Sequence, residues 1–279
     1  PSFKQPFVLM PQSLGKSRQL PQILADNGYG TLFNDWAEKD VVNMVRHFRN
    51  SPSVVMWSIG NEVPSQWWED GLSELKMLQD IVHREDPTRP VTCGMDQLDA
   101  VVNNGFAAAL DIPSFNYKTN RYHEIMDKLP QDFVLGSETA STVSSRGQYF
   151  FPVKKGSSMM HPGNQSNSYD VEYCDWSNIP DDDFVQDDDR ANNLGQFVWT
   201  GFDYLGEPSP YDTDAWPSHV SVFGIVDLAS IPKDRYYLYR SQWNKDDHTL
   251  HILPHWNWEG REGEVTPVFV YTDYPKAEL

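Results

Sequence analysis

Apolar residues in this chain gather in short unbroken runs, and between the runs they recur three and four apart. The runs at residues 7–10, 54–59, 91–94, 112–117, 133–136 and 196–202 are near-continuous rather than alternating, the pattern of strands covered on both faces. In residues 35–49, Val41, Val42, Met44, Val45 and Phe48 follow helical spacing, and Asn50-Ser51-Pro52 ends the helix. Leu72, Leu75, Leu78, Ile81 and Val82 repeat that spacing over 71–85, before Asp86-Pro87, and a third helix is predicted over 234–243. Strand then helix, several times over, reads as a parallel α/β fold.

The style changes beyond Trp243. Residues 250–253 and 265–272, split by the turn Glu259-Gly260, read as strands with no helix between them. The expected organisation is therefore a barrel-type domain over 1–244 and the beginning of a truncated β-sandwich over 245–279. Two or three strands do not make a stable sandwich. Residues 141–193 are the least regular, and the acidic groups Asp181-Asp182-Asp183 and Asp187-Asp188-Asp189 are expected in a solvated loop rather than a calcium site.

Charge narrows the partners. Forty acidic against 22 basic residues give a formal charge of -18, which repels phosphate backbones, so nucleic acid is excluded as a partner and a neutral or cationic ligand is favoured. Mean hydropathy is -0.58 and no run reaches the length of a membrane span. Cys93 and Cys174 make no disulfide scaffold and are expected as two partly buried free thiols. The start, PSFKQPFVLM, has neither an initiating Met nor a signal-peptide layout. Localisation is thus periplasmic or extracellular if a leader was removed, and otherwise cytoplasmic. Ten Trp in a chain that is 13% aromatic fit a cleft where sugar faces stack on indoles.

Two of the runs end on a glutamate: Trp57-Ser58-Ile59-Gly60-Asn61-Glu62 and Phe133-Val134-Leu135-Gly136-Ser137-Glu138. In a (β/α)8 TIM barrel the C-terminal strand ends share one active site. Two carboxylates facing one cleft suit glycoside hydrolysis, one protonating the departing oxygen and the other attacking the anomeric carbon, about 5–5.5 Å apart when configuration is retained. Either glutamate alone is weaker evidence, because a Glu at a strand end is more often an exposed ion-pair member. Asn61 adds an amide beside Glu62, and Phe115-Asn116-Tyr117 puts Asn116 and a phenol at an intervening strand end. Trp199 in Phe197-Val198-Trp199-Thr200 offers an indole. His83 and His161 have no partners at metal-ligand spacing and are expected to be solvated or capping residues.

The motifs WSIGNE, FNY, GSETAS and FVWTGFDYLGEP, in this order, resemble the catalytic-barrel motifs of glycoside hydrolase family 2, the β-galactosidase and β-glucuronidase group. The resemblance is to bacterial β-galactosidase-like members whose barrel precedes immunoglobulin-like domains. It runs from about Tyr29 to the end and includes FGIVDLAS, KDRYYLYRSQW and HILPHWNWEG. It implies a retaining exo-β-glycosidase with Glu62 as acid/base and Glu138 as nucleophile. Asn61 would meet the sugar 2-hydroxyl, Tyr117 would lie beside the nucleophile, and Trp199 would floor the site. Asp203 and Glu207 would bind further hydroxyls, with a structural ion pair or a turn role as the competing reading. Phe115 and Trp57 are expected in packing.

Some relatives use a magnesium or sodium ion, but no residues here match as ligands, so no cofactor and no metal site is assigned. A carbohydrate is the expected partner, without membrane or nucleic acid; a homo-oligomer is compatible with the sequence. The stretch Arg-x-Ser-His-Asn-Pro and the first two barrel strands of the family find no match, leaving six expected strands. The expectation is a piece with open strand edges, poorly active alone. The resemblance favours β-galactosides as substrates; the rival readings are β-glucuronidase or another β-glycosidase of the same family, an endo-acting barrel hydrolase and a non-catalytic sugar-binding barrel.

Overall fold

The computed structural model describes residues 7–9, 32–157, 159–188, 191–206, 208 and 218–278. Its largest sheet has six strands in the order β1 (Phe7–Leu9), β2 (Val54–Asn61), β3 (Val91–Met95), β4 (Ile112–Asn116), β5 (Val134–Ala140) and β8 (Asn193–Trp199). The pairings from β1 through β5 are all parallel. Two short strands, β6 (Gly156–Ser157) and β7 (Glu172–Tyr173), lie between β5 and β8 in sequence and pair with each other. Each of the six predicted runs thus supplies one strand of a curled parallel sheet, as in part of a TIM barrel.

The helices follow their apolar spacing. In α1 (Phe33–Phe48) the buried residues are Phe33, Ala37, Val41 and Val45, one every four positions and so on a single face. In α2 (Gly71–Glu85) Leu75, Leu78, Ile81 and Val82 turn inward. They join Trp57, Val91, Met95, Phe115 and Val134 in one core. Trp57 and Phe115 are fully buried, as expected of packing residues, and the Trp57 indole donates to Asp86 at 3.0 Å. Burial raises the Asp86 carboxyl, but donation from Thr88, Arg89 and Trp57 outweighs it and holds the group well below the usual carboxylate range. Every residue of β3, β4 and β5 is buried, which explains why their sequences are continuous rather than alternating.

Contacts divide the chain into two compact units, Pro1–Glu138 with Val185–Phe197, and Thr139–Phe184 with Val198–Leu279. The second unit contains β9 (Tyr204–Leu205) paired antiparallel with β10 (Val220–Ser221), and β11 (Leu250–Leu253) paired antiparallel with β12 (Phe269–Thr272). Helix α6 (Asp234–Trp243) precedes β11 and packs against both β11 and β12. Its small core, Val143, Cys174 and Phe223, is flanked by Trp199, Tyr204 and Val222. Cys93 and Cys174 are both buried and neither is in a disulfide.

Several local expectations need correction. The acidic stretch is not a loop: Pro180–Asp188 is helical (α5, after the short helices α3, Leu98–Asn103, and α4, Tyr122–Met126). Asp181, Asp182 and Asp183 occupy its first turn, where carboxylates face the positive end of the helix dipole. The strand expected at 133–136 continues to Ala140, so Glu138 lies within β5 rather than after it. The strand expected over 265–272 begins only at Phe269. His83 and His161 are not merely solvated, since His83 lies 2.7 Å from Asp111 and His161 2.5 Å from Glu172.

Candidate active site

The C-terminal ends of β2, β4 and β5 assemble the site within the first unit. Register brings them level: Asn61 pairs with Gly94 and Asn116 with Glu138. A register shift occurs between Ser58 and Asn61 and another between Phe115 and Asn116. Such bulges re-aim side chains next to active sites. The chain then turns sharply, with positive φ at Glu62 (47°), Tyr117 (59°) and Lys118 (53°). For non-glycine residues this conformation is strained and persists only where surrounding bonds hold it. Here Glu62 N donates to Gly94 O at 2.9 Å and Tyr117 N to Glu138 O at 2.6 Å.

Asn116 is the hub. Fully buried, it donates from Nδ2 to Asn61 Oδ1 at 2.9 Å and to Glu62 Oε1 at 2.8 Å, while its Oδ1 accepts from Ser137 Oγ at 2.6 Å. Glu138, 6% exposed, accepts from the Tyr117 hydroxyl at 2.8 Å and from the Asn61 side chain. Asn61 and Asn116 therefore tie the two carboxyls into one hydrogen-bonded set. Gly94 makes that set possible. A Cβ at this position would stand 2.4 Å from Asn61 Oδ1 and 3.0 Å from Asn116 Oδ1.

Burial and the neighbouring Glu62 charge push Glu138 up to about 7, against the donation from Tyr117 and Asn61. The Glu62 side chain is solvent-accessible, yet protein crowds its carboxyl enough that desolvation raises it too, opposed by the Asn116 bond. Two acids in one field do not ionise together, so the pair holds a single proton up to roughly neutral pH. That is the charge state in which one carboxyl donates a proton and the other attacks.

Of the residues expected here, Asn61, Glu62, Asn116, Tyr117 and Glu138 come together. Trp199 and Asp203 belong to the second unit. Trp199 is half-buried against Tyr204, with ring centroids 5.9 Å apart. Asp203 is buried, and its Oδ1 accepts from Lys233 Nζ at 2.7 Å and Gly224 N at 2.8 Å, the structural ion pair foreseen as its competing role. Glu207 lies outside the described residues. Among the described residues no group of three or more His, Cys, Asp or Glu is placed to hold a metal ion, and no helix is long and apolar enough to cross a membrane.

Sequence reasoning missed the parts played here by Gly94, by Ser137 and by Asp96, whose charge adds to the rise of both glutamates. A glycine ending a strand was the available signal for the first, since it marks a close approach of neighbours.

Residues 8–245 match the family described as "Glycosyl hydrolases family 2, TIM barrel domain". A β-galactosidase of Bacteroides ovatus is 35% identical, over 82% of this chain and 31% of its own length. A β-glucuronidase of Bacteroides fragilis is 23% identical over 91% of this chain and 36% of its own. Among solved structures, a β-glycosidase from Bacteroides vulgatus superposes with a TM-score of 0.71 at 30% identity, covering 90% of this chain and 34% of that one. The chain spans about a third of the length of these relatives.

Proposed function

The chain belongs to glycoside hydrolase family 2, and from that membership we propose that it is the catalytic portion of a retaining exo-β-glycosidase acting on terminal β-linked sugars, β-galactosides first. The supporting observation is the single hydrogen-bonded set joining Glu62 and Glu138 through Asn61 and Asn116. In the first step Glu62 gives its proton to the glycosidic oxygen while a Glu138 oxygen bonds to the anomeric carbon, and the carbon–oxygen bond to the leaving sugar breaks. In the second, Glu62 takes a proton from water, the water oxygen bonds to that carbon, and Glu138 departs as carboxylate.

The two glutamates differ in a way that suits these roles. Without substrate, burial favours the proton on the more enclosed Glu138. Donation from Tyr117 and Asn61 opposes that burial and favours the ionised form of Glu138, the form that attacks. Solvent-accessible Glu62 then holds the proton where the leaving group exits. Following the family resemblance, Asn61 meets the 2-hydroxyl and Trp199 offers the stacking face. Asp203 and Glu207 stay assigned to further hydroxyls only through that resemblance. The antiparallel pair β11–β12 is assigned to the beginning of an immunoglobulin-like sandwich.

A panel of aryl β-galactosides and β-glucuronides with good and poor leaving groups tests the reading on the full-length protein. Glu62→Ala should keep its glycosylation step on good leaving groups, lose poor ones and be rescued by azide, whereas Glu138→Ala should lose all. Equal losses across leaving groups in Glu62→Ala would overturn the acid assignment. Sugar binding without any turnover by the parent would favour the non-catalytic barrel.

A further inference from the structure

Lys118 is a cation beside this site that the two-step reaction does not use. It follows Tyr117 directly, both residues have positive φ, and their side chains reach different partners. Tyr117 reaches Glu138. Lys118 reaches across to β3, donating from Nζ to the Asp96 backbone carbonyl at 2.7 Å, and its charge acts on Glu62.

Each carboxylate around it has another partner. Asp96 accepts from Gln66 at 2.7 Å and Gln97 at 2.5 Å; Asp99 accepts both terminal nitrogens of Arg121 at 2.7 and 3.1 Å; Glu62 accepts from Asn116. Among the described residues, Lys118 forms no ion pair and uses one of its three ammonium protons. The buried Lys233 is the contrast, with the acceptors Ser144 O, Asp203 Oδ1 and Val222 O all engaged. An exposed lysine that stays unpaired in a chain of net charge -18, beside the candidate acid, has its charge available to a ligand.

Resting on the retaining-glycosidase reading, we propose that Lys118 binds an anionic substituent, a carboxylate or a sulfate ester, on the sugar that departs. The side follows from the chemistry: Glu62 protonates the oxygen that leaves with that sugar, and Lys118 bonds the Asp96 carbonyl, two residues beyond the Gly94 carbonyl that takes the Glu62 N–H, while its neighbour Tyr117 bonds Glu138. The overall negative charge opposes anions at long range, but screening confines that field to about 8 Å at physiological salt, within which a contacting ammonium decides. The substrate class is thus an acidic oligosaccharide with its charge next to the scissile bond.

The test uses the full-length protein and the glycone that the aryl panel selects, β-linked to glucose, to glucuronic acid or to glucose 6-sulfate. The parent should favour at least one anionic disaccharide over the neutral one by about fivefold in kcat/KM, the upper range for an exposed ion pair. High salt should shrink that ratio, Lys118→Met should bring it to about one, and Lys118→Arg should largely preserve it. The preferred anionic arm distinguishes uronate from sulfate. A parent without anionic preference, or a ratio unchanged in Lys118→Met, overturns the inference while hydrolysis of the neutral disaccharide leaves the glycosidase reading standing. If the parent hydrolyses nothing, the glycosidase reading fails, and binding of thio-linked versions of the three sugars decides Lys118 by itself. A Kd ratio abolished by Lys118→Met supports the inference and an unaltered ratio overturns it.

Discussion

At the residue scale, a missing side chain is as informative as those present. Gly94 leaves room for Asn61 and Asn116 to meet, since a Cβ there would approach an Asn61 oxygen to 2.4 Å. Gly94→Ala should therefore displace the amide that donates to Glu138 while leaving the strand itself intact. A displacement of about an ångström costs on the order of 100-fold in rate, so kcat/KM should fall by about that factor with little change in the circular dichroism spectrum. Wild-type activity in Gly94→Ala would show that the Asn61–Asn116 contact is dispensable. Glu62 and Glu138 could be picked out from the sequence because each ends or nearly ends an apolar run. Gly94 could not be given a role, since what it avoids lies on two other strands.

Elements of the second unit are tied by buried cations. Lys233, 1% exposed at the start of α6, joins Ser144, Asp203 and Val222. Arg235, the second residue of the helix, donates to the carbonyls of Thr142, Phe223 and Gly224. These bonds hold Thr142 and Ser144, after β5, together with Asp203 and residues 222–224 to one helix end. Lys233→Met leaves Asp203 buried with its partner removed, a change that costs about 3–5 kcal/mol for a buried pair. Denaturant unfolding should show a loss of that size, and Lys233→Met/Asp203→Asn should recover part of it because no buried charge remains. A loss below about 1 kcal/mol, the size of an exposed pair, would mean that solvent reaches Asp203. Helices α2 and α6 matched their predicted bounds, whereas the helix at Pro180–Asp188 escaped prediction. An acidic run with few apolar residues has almost no periodic signal.

Over the whole molecule, the carboxyls fall into two sets with opposite pH dependence. Glu85, Asp86, Asp99, Glu124, Asp227, Glu262 and Asp273 are lowered, so their contributions are present above the unfolded value near 4 and lost below it. Glu138 and Asp170 are raised to about 7, chiefly by burial. The folded protein then holds more protons than the unfolded chain between about 4 and 7, and stability falls as pH rises through that window. Lys233, lowered to about 8, adds nothing below neutrality. Melting temperature should accordingly be higher at about pH 5 than at about pH 7.5, and Glu138→Gln should flatten the decline. A melting temperature that climbs steadily over this range would place Glu138 and Asp170 in far wetter surroundings.

The order of local patterns along the chain was enough to pick out six strands, the helices now seen at 33–48, 71–85 and 234–243, the two carboxylates and the family they resemble, but not the helices at 98–103, 122–126 and 180–188. Apolar spacing and residue type are local properties, and parallel strands such as β3, β4 and β5, buried on both faces, leave little choice of architecture. Tertiary structure decided what depends on distance between separate strands. It placed Asn116 as the hub between Glu62 and Glu138, required Gly94 to be small, and committed one oxygen of Asp203 to Lys233. It also left Lys118, bonded to the Asp96 carbonyl, without a carboxylate of its own among the described residues. A residue's chemical type is written in the chain, but its proton and its partners depend on which neighbours the fold brings within about 3 Å.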